Sequence, residues 1–141
     1  DIDARARKNL IRDTLQKVGL LADHMTFYPH MFSGGQKQRI SLARAIILKP
    51  QVVILDEALA SLDPSLRSQI INLLLDLQQQ MGLAFILISH NLGIVRHFSD
   101  DIMVLCQGRV IELGKTATVL QHPNHQYTKK LILNQRFKIQ K

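Results

Sequence analysis

From Phe32 to Glu57 the chain runs FSGGQKQRISLARAIILKPQVVILDE, a Ser-Gly-Gly-Gln turn, a helical stretch and a short apolar run ending in two carboxylates. A helix that feeds into a β-branched strand is a building unit of parallel α/β sheets, and it sets the fold class. Ser33 suits the N-cap of a helix from about Gln36 to Leu48, with Ile40, Leu42, Ala43, Ile46 and Ile47 marking its apolar side. Gly34 and Gly35 carry no Cβ, so the backbone there can turn sharply and approach a ligand. A helix N-terminus presents N–H groups to anions, and Lys37 and Arg39 add positive charge nearby. Pro50 stops the helix, and Val52-Val53-Ile54-Leu55 is expected to be a buried parallel strand. Asp56 and Glu57 follow at its C-terminal end, the edge where open α/β sheets bind ligands. One acid there can hold hydrated Mg²⁺, and a second can orient or deprotonate a water.

Ala60-Ser61-Leu62-Asp63 comes next, and Asp63-Pro64 opens a long helix whose Leu66, Ile70, Leu73, Leu74 and Leu77 recur at helical spacing up to Gly82. Leu83 to Ile88 is the next strand, followed by Ser89-His90 and a short helix from about Asn91 to His97. Ahead of the turn, residues 3–18 form an amphipathic helix with Leu10, Ile11, Thr14, Leu15 and Val18 on one side and Gly19 at its end. Strands at Ile102 to Leu105 and Arg109 to Leu113 flank a Gln107-Gly108 hairpin turn. A last helix spans Thr116 to Gln121, and the remainder reads as a basic tail. Gly114-Lys115-Thr116 mimics the end of a phosphate loop. However, five residues separate Gly108 from Gly114 where the loop needs four, and they suit a strand.

With FSGGQ, VVILDE, ASLD and ISH in this order, the chain resembles the ATP-binding subunits of ABC transporters. These segments are similar to the signature motif, the Walker B strand, the D-loop and the switch-histidine loop, and the likeness runs over essentially the whole chain. The resemblance implies that Ser33, Gly34, Gly35 and Gln36 contact the γ-phosphate of ATP held by a partner subunit. It makes Asp56 the Mg²⁺ residue, Glu57 the catalytic base, Asp63 a coupling residue across the dimer, and His90 the γ-phosphate sensor. The HPNHQYT segment from His122 resembles the end of oligopeptide and dipeptide import ATPases, and VGL at 18–20 with Tyr28-Pro29-His30 fits the same subfamily. DEALASLD is similar to the ATPase of the bacterial antimicrobial-peptide uptake system, with Ala58 where the family usually has Pro.

The implied fold is an incomplete P-loop NTPase: residues 1–50 as part of the helical subdomain, 51–121 as the Walker B half of a mainly parallel sheet with flanking helices, and 122–141 as the basic tail. No G-x-x-x-x-G-K-[ST] loop occurs in the 141 residues, and the chain starts at Asp1 rather than Met. It is therefore expected to be the C-terminal part of a longer ATPase and inactive alone. The implied cofactors are ATP and Mg²⁺. The implied partners are a second ATPase subunit, identical or not, the integral membrane permease subunits and, indirectly, a periplasmic peptide-binding protein. The implied location is the cytoplasmic face of the bacterial inner membrane.

Composition narrows the alternatives. The net charge of +7 also suits a soluble ABC-type ATPase acting on DNA or ribosomes, and a non-catalytic remnant is a third reading. Only 5% of residues are aromatic and none is Trp, which gives base stacking little support, so no specific nucleic acid is expected. The single Cys106 excludes a disulfide framework and is expected to be a buried hydrophobe. The longest apolar run, Leu83 to Ile88, is far too short to span a bilayer.

Overall fold

The computed structural model describes residues 3–139. They form two compact units, the first made of residues up to Leu55 with Ser61–Ile86, the second of Asp56–Ala60 with residues from Leu87 onward.

The first unit opens with helix α1, Ala4–Lys17, capped by Asp3, whose carboxylate accepts the Ala6 N–H at 2.8 Å. Thr14, Leu15 and Val18 are buried as the helical spacing requires. The helix stops in a Schellman turn: the Gly19 N–H donates to Gln16 O, the Leu20 N–H donates to Leu15 O, and Gly19 sits at φ +72°. Two short 3₁₀ turns follow, Ala22–Thr26 and Pro29–Met31, where the sequence analysis placed no element. His24, Phe27 and Phe32 form a ring cluster there with centroids 5.0–5.7 Å apart, and Phe32 is buried. This cluster fixes the approach to helix α2, Gly34–Ile46.

Helix α3, Pro64–Met81, buries Ile70, Ile71, Leu74 and Leu77 and ends at Gly82, φ +64°. It connects strand β1, Val52–Asp56, to strand β2, Ala84–Ile88. The Ala84 N–H donates to Gln51 O and the Glu57 N–H donates to Ile88 O, so the two strands run parallel. The expected burial of β1 holds for one side only. Val53 is buried, whereas Val52 (48%) and Ile54 (63%) are exposed, as is Ile86 (51%) on β2. Period-2 alternation sends neighbouring side chains to opposite faces, and this pair has one covered face among the described residues.

In the second unit, helix α4, Leu92–Phe98, leads to strands β3, Asp101–Cys106, and β4, Arg109–Lys115. They pair antiparallel through Gln107 and Gly108, both at positive φ, the geometry of a two-residue hairpin turn. Val95, Ile102, Val104 and Val119 form the core here, with Leu87, Ile111 and Leu120 against it. Gly114 and Lys115 lie in β4, and Lys115 pairs with Asp101 at 2.9 Å, so this segment is strand as expected. Cys106 is half-buried at the end of β3 beside the turn, not enclosed as expected.

After helix α5, Thr116–Gln121, the expected basic tail is replaced by a helix, α6, Gln126–Ile139. Thr128 on it is 1% exposed, so the segment is docked through a buried side chain. Lys141 of the basic run lies outside the described residues.

Candidate functional site

Strand β1 ends at Asp56, and Glu57 then adopts φ +46°, the left-handed region that a non-glycine residue enters at a cost. The turn is held from several sides. The Glu57 N–H donates to Ile88 O at 3.0 Å, the Ala60 N–H donates to Glu57 O at 3.1 Å, and Leu59 is buried beneath. The Glu57 carboxylate accepts the backbone N–H of His90 at 3.2 Å, and the same oxygen lies 3.0 Å from His90 Nδ1. Both side chains remain accessible, 43% for Glu57 and 72% for His90. Parallel strands present their C-terminal ends on one edge, and here that edge joins the acid and the imidazole expected from the sequence.

Asp56 is exposed at the same strand end. No cluster of three metal-ligating side chains occurs among the described residues. Mg²⁺ in phosphate sites takes one or two carboxylates and fills its remaining positions with water and phosphate oxygens. One exposed aspartate next to a glutamate fits that pattern.

The Ser-Gly-Gly-Gln turn belongs to the first unit. Ser33 caps α2 by accepting the Gln36 N–H at 3.3 Å, and Gln36 Oε1 accepts the Ser33 N–H at 2.9 Å, a reciprocal capping box. The two glycines differ. A Cβ on Gly34 would meet nothing within 4 Å, so that backbone is open, whereas a Cβ on Gly35 would come within 2.8 Å of Leu66 Cδ1. Neither glycine has a positive φ, so the expected sharp turn is an ordinary helix start, and Gly35 serves packing against α3. Arg39 also departs from expectation. Its guanidinium donates to Val18 O at 2.7 Å, because the carbonyl at the end of α1 needs a donor. Asp63 caps α3, accepting the Leu66 N–H at 2.9 Å.

Two polar residues missed by the sequence analysis connect to the site in the second unit. Gln135 of α6 donates its amide to His90 O and accepts the Leu92 N–H at 3.0 Å. A cleft of about 360 Å³ beside it is lined by His90, Tyr127, Lys130, Leu131, Asn134 and Gln135. Glu112 of β4 accepts the N–H groups of Asn124 (2.8 Å) and His125 (3.2 Å) just ahead of α6. The Asn124 N–H, foremost among several hydrogen bonds and the His125 charge, holds the Glu112 carboxyl below its ordinary range. The helical spacing of Tyr127, Leu131 and Gln135 was the available signal for the first of these.

Residues 3–60 match the ABC transporter domain. The chain carries part of an ABC transporter domain. It is 52% identical over 132 residues to the putrescine export system ATP-binding protein SapF of Escherichia coli K12, covering 94% of this chain and 49% of that protein. It is 51% identical over 132 residues to the peptide transport system ATP-binding protein SapF of Salmonella typhimurium, with the same coverage. It is 46% identical over 131 residues to the dipeptide transport ATP-binding protein DppF of Haemophilus influenzae, covering 93% of this chain and 40% of that one. The chain thus spans about half the length, 49%, of the SapF relatives it matches. Among solved structures, cbiO1 of Clostridium perfringens, part of the ABC transporter complex cbiONQ, aligns with a TM-score of 0.76 at 30% identity, covering 94% of this chain and 52% of that one. The ATP-binding cassette MJ1267 in its ADP conformation also aligns at 0.76, covering 94% and 51%; at 24% identity it speaks for the fold alone. Together these matches identify the α/β architecture as part of an ABC ATPase domain.

Proposed function

We propose that this chain is the portion of the ATP-hydrolysing subunit of a bacterial ABC peptide importer that carries the signature turn, the Walker B strand, the D-loop and the switch histidine. The contact that carries the reading is Glu57 with His90, an accessible carboxylate held by an imidazole at the end of a parallel strand pair. Glu57 takes the proton of the attacking water. His90 orients that carboxylate and offers its remaining ring face to the γ-phosphate. Asp56 would hold Mg²⁺, which offsets phosphate charge when bound. Ser33, Gly34, Gly35 and Gln36 would close on ATP seated in a partner subunit, with the open N-terminus of α2 at Gly34 as the approach. Asp63 would couple the two sites.

On this reading residues 1–50 belong to the helical subdomain that meets the permease, 51–121 to the ATPase core, and the last twenty to an importer-type C-terminal segment. No helix among the described residues is long and apolar enough to cross a membrane. Attachment to the cytoplasmic face of the inner membrane would come through the permease subunits, with a second ATPase subunit alongside. The names of the SapF relatives point to two cargoes, putrescine and peptides, and to export in one case. Relatives named for dipeptide transport and the HPNHQYT segment favour peptide.

The test is Glu57→Gln in an ATPase that joins this chain to a phosphate-loop half. ATP binding should persist while turnover falls below detection, and turnover at the parental rate would remove Glu57 from the base role. The 141-residue chain alone should show no ATP hydrolysis above background, because its sequence has no phosphate loop to grip the β- and γ-phosphates.

A further inference from the structure

His90 is held at both of its peptide bonds, and only one of the two holds comes from the catalytic strand pair. Its N–H goes to Glu57, while its carbonyl accepts from the Gln135 amide. Gln135 also accepts the Leu92 N–H, at 3.0 Å. Leu92 is the first residue of α4, where four N–H groups have no partner inside the helix. The Asn91 side chain takes those of Gly93 and Ile94, and the Ser89 hydroxyl takes that of Asn91 at 3.1 Å. The Leu92 N–H falls to Gln135, on a helix 43 residues further along the chain. One side-chain amide thus spans the two peptide groups that flank Asn91 and fixes the direction in which His90 leaves β2.

The helix that carries this amide is itself anchored. Glu112 accepts the Asn124 and His125 N–H groups ahead of its start, and Thr128 is buried in its first turn. Tyr127, Lys130, Leu131, Asn134 and Gln135 recur at intervals of three and four and line the same cleft as His90, so α6 presents one continuous side to the loop.

We propose that α6 braces the switch-histidine loop and that Gln135 is the positioning residue of His90. The catalytic part of this rests on the reading of His90 and Glu57 given above. The loop part does not, and the experiment separates them. In the 141-residue chain, Gln135→Ala should speed hydrogen exchange of the Leu92 amide about tenfold, the worth of one hydrogen bond. The Ile102 and Val104 amides, in the core of the same unit, serve as the folding control and should keep their protection. Gln135→Glu keeps the acceptor for Leu92 and loses the donor to His90, so it should restore Leu92 protection while the His90 ring signals, displaced in both variants, remain away from their parental positions. In the ATPase joined to its phosphate-loop half, Gln135→Ala should lower kcat about tenfold with KM for ATP within about twofold, the split expected when positioning is lost and binding is kept. Unchanged Leu92 exchange in Gln135→Ala would overturn the brace. Faster exchange with unchanged kcat would overturn the positioning role. If Glu57→Gln still turns over, the site reading fails while the exchange result decides the brace on its own.

Discussion

Gly19→Ala places two separable costs on the end of α1, and the structure supplies an internal control for each. The first is backbone conformation: Gly19 sits at φ +72°, where an L side chain costs about 1–2 kcal/mol. Gly82, closing α3 at φ +64°, carries the same burden, and a Cβ there would meet nothing within 4 Å. Gly82→Ala therefore measures the backbone cost alone. The second cost is steric. A Cβ on Gly19 would stand 2.6 Å from Arg39 Nη1, the atom that donates to Val18 O at 2.7 Å. Arg39 has a flexible side chain, but it cannot move without giving up this bond. Val18 is 0% exposed, so water does not easily replace the donor. A hydrogen bond from a charged group contributes about 1.5–3 kcal/mol, and partial exposure of the guanidinium brings this to the lower end. Gly19→Ala should thus cost about 2–4 kcal/mol against about 1–2 for Gly82→Ala, from urea unfolding followed by circular dichroism. On an Arg39→Ala background the added cost of Gly19→Ala should shrink to that of Gly82→Ala. If the two glycine variants cost the same on the parent background, within about 0.5 kcal/mol, Arg39 is not locking α1 to α2.

Two further outcomes follow from other parts of the molecule. Glu112 has its folded carboxyl held below the ordinary range, so its contribution is complete above the unfolded value and fades as pH falls through the lowered one. The Asn124 amide resonance should move upfield across that acid window as the hydrogen bond is lost, and Glu112→Gln should abolish the titration; a resonance that stays put would mean the carboxylate does not anchor α6. Val52, Ile54 and Ile86 leave an apolar strand face in water, so the isolated chain should bind a hydrophobic dye and self-associate. Ile54→Thr should reduce both without loss of stability, and unchanged light scattering would place the association elsewhere.

The sequence made most of the secondary structure legible, and the reasons are local. Asp3, Ser33, Asp63 and Asn91 each stand one position before a helix and each caps it. Gly19 and Gly82 end α1 and α3, and Gln107-Gly108 makes the hairpin turn. What sequence reasoning missed depends on distant partners. Gly35 resembles a ligand-facing glycine until Leu66, thirty-one positions away, proves to occupy its Cβ space. Arg39 looks like anion-binding charge near a helix start until the carbonyl of Val18 claims it. The α6 segment reads as a basic tail because its lysines and arginine dominate the local pattern, while its anchors, Glu112 and the His90 loop, lie in other elements.

Glu57 shows why the candidate site stands apart from these structural substitutions. A glycine would hold φ +46° without strain, and nothing about the fold of the turn demands a glutamate, since Leu59 and the two backbone hydrogen bonds already fix it. Left-handed backbone at a non-glycine residue costs of order 1–3 kcal/mol, and such strain persists only where the surroundings over-determine it. The surroundings here are His90, which engages the carboxylate through both its ring and its backbone N–H. Those contacts are too exposed to repay the strain in full, since side-chain contacts this accessible contribute at most about 1 kcal/mol. A stability-driven design would replace Glu57 with glycine. A strained, accessible carboxylate against His90 is the arrangement that the proposed base role calls for.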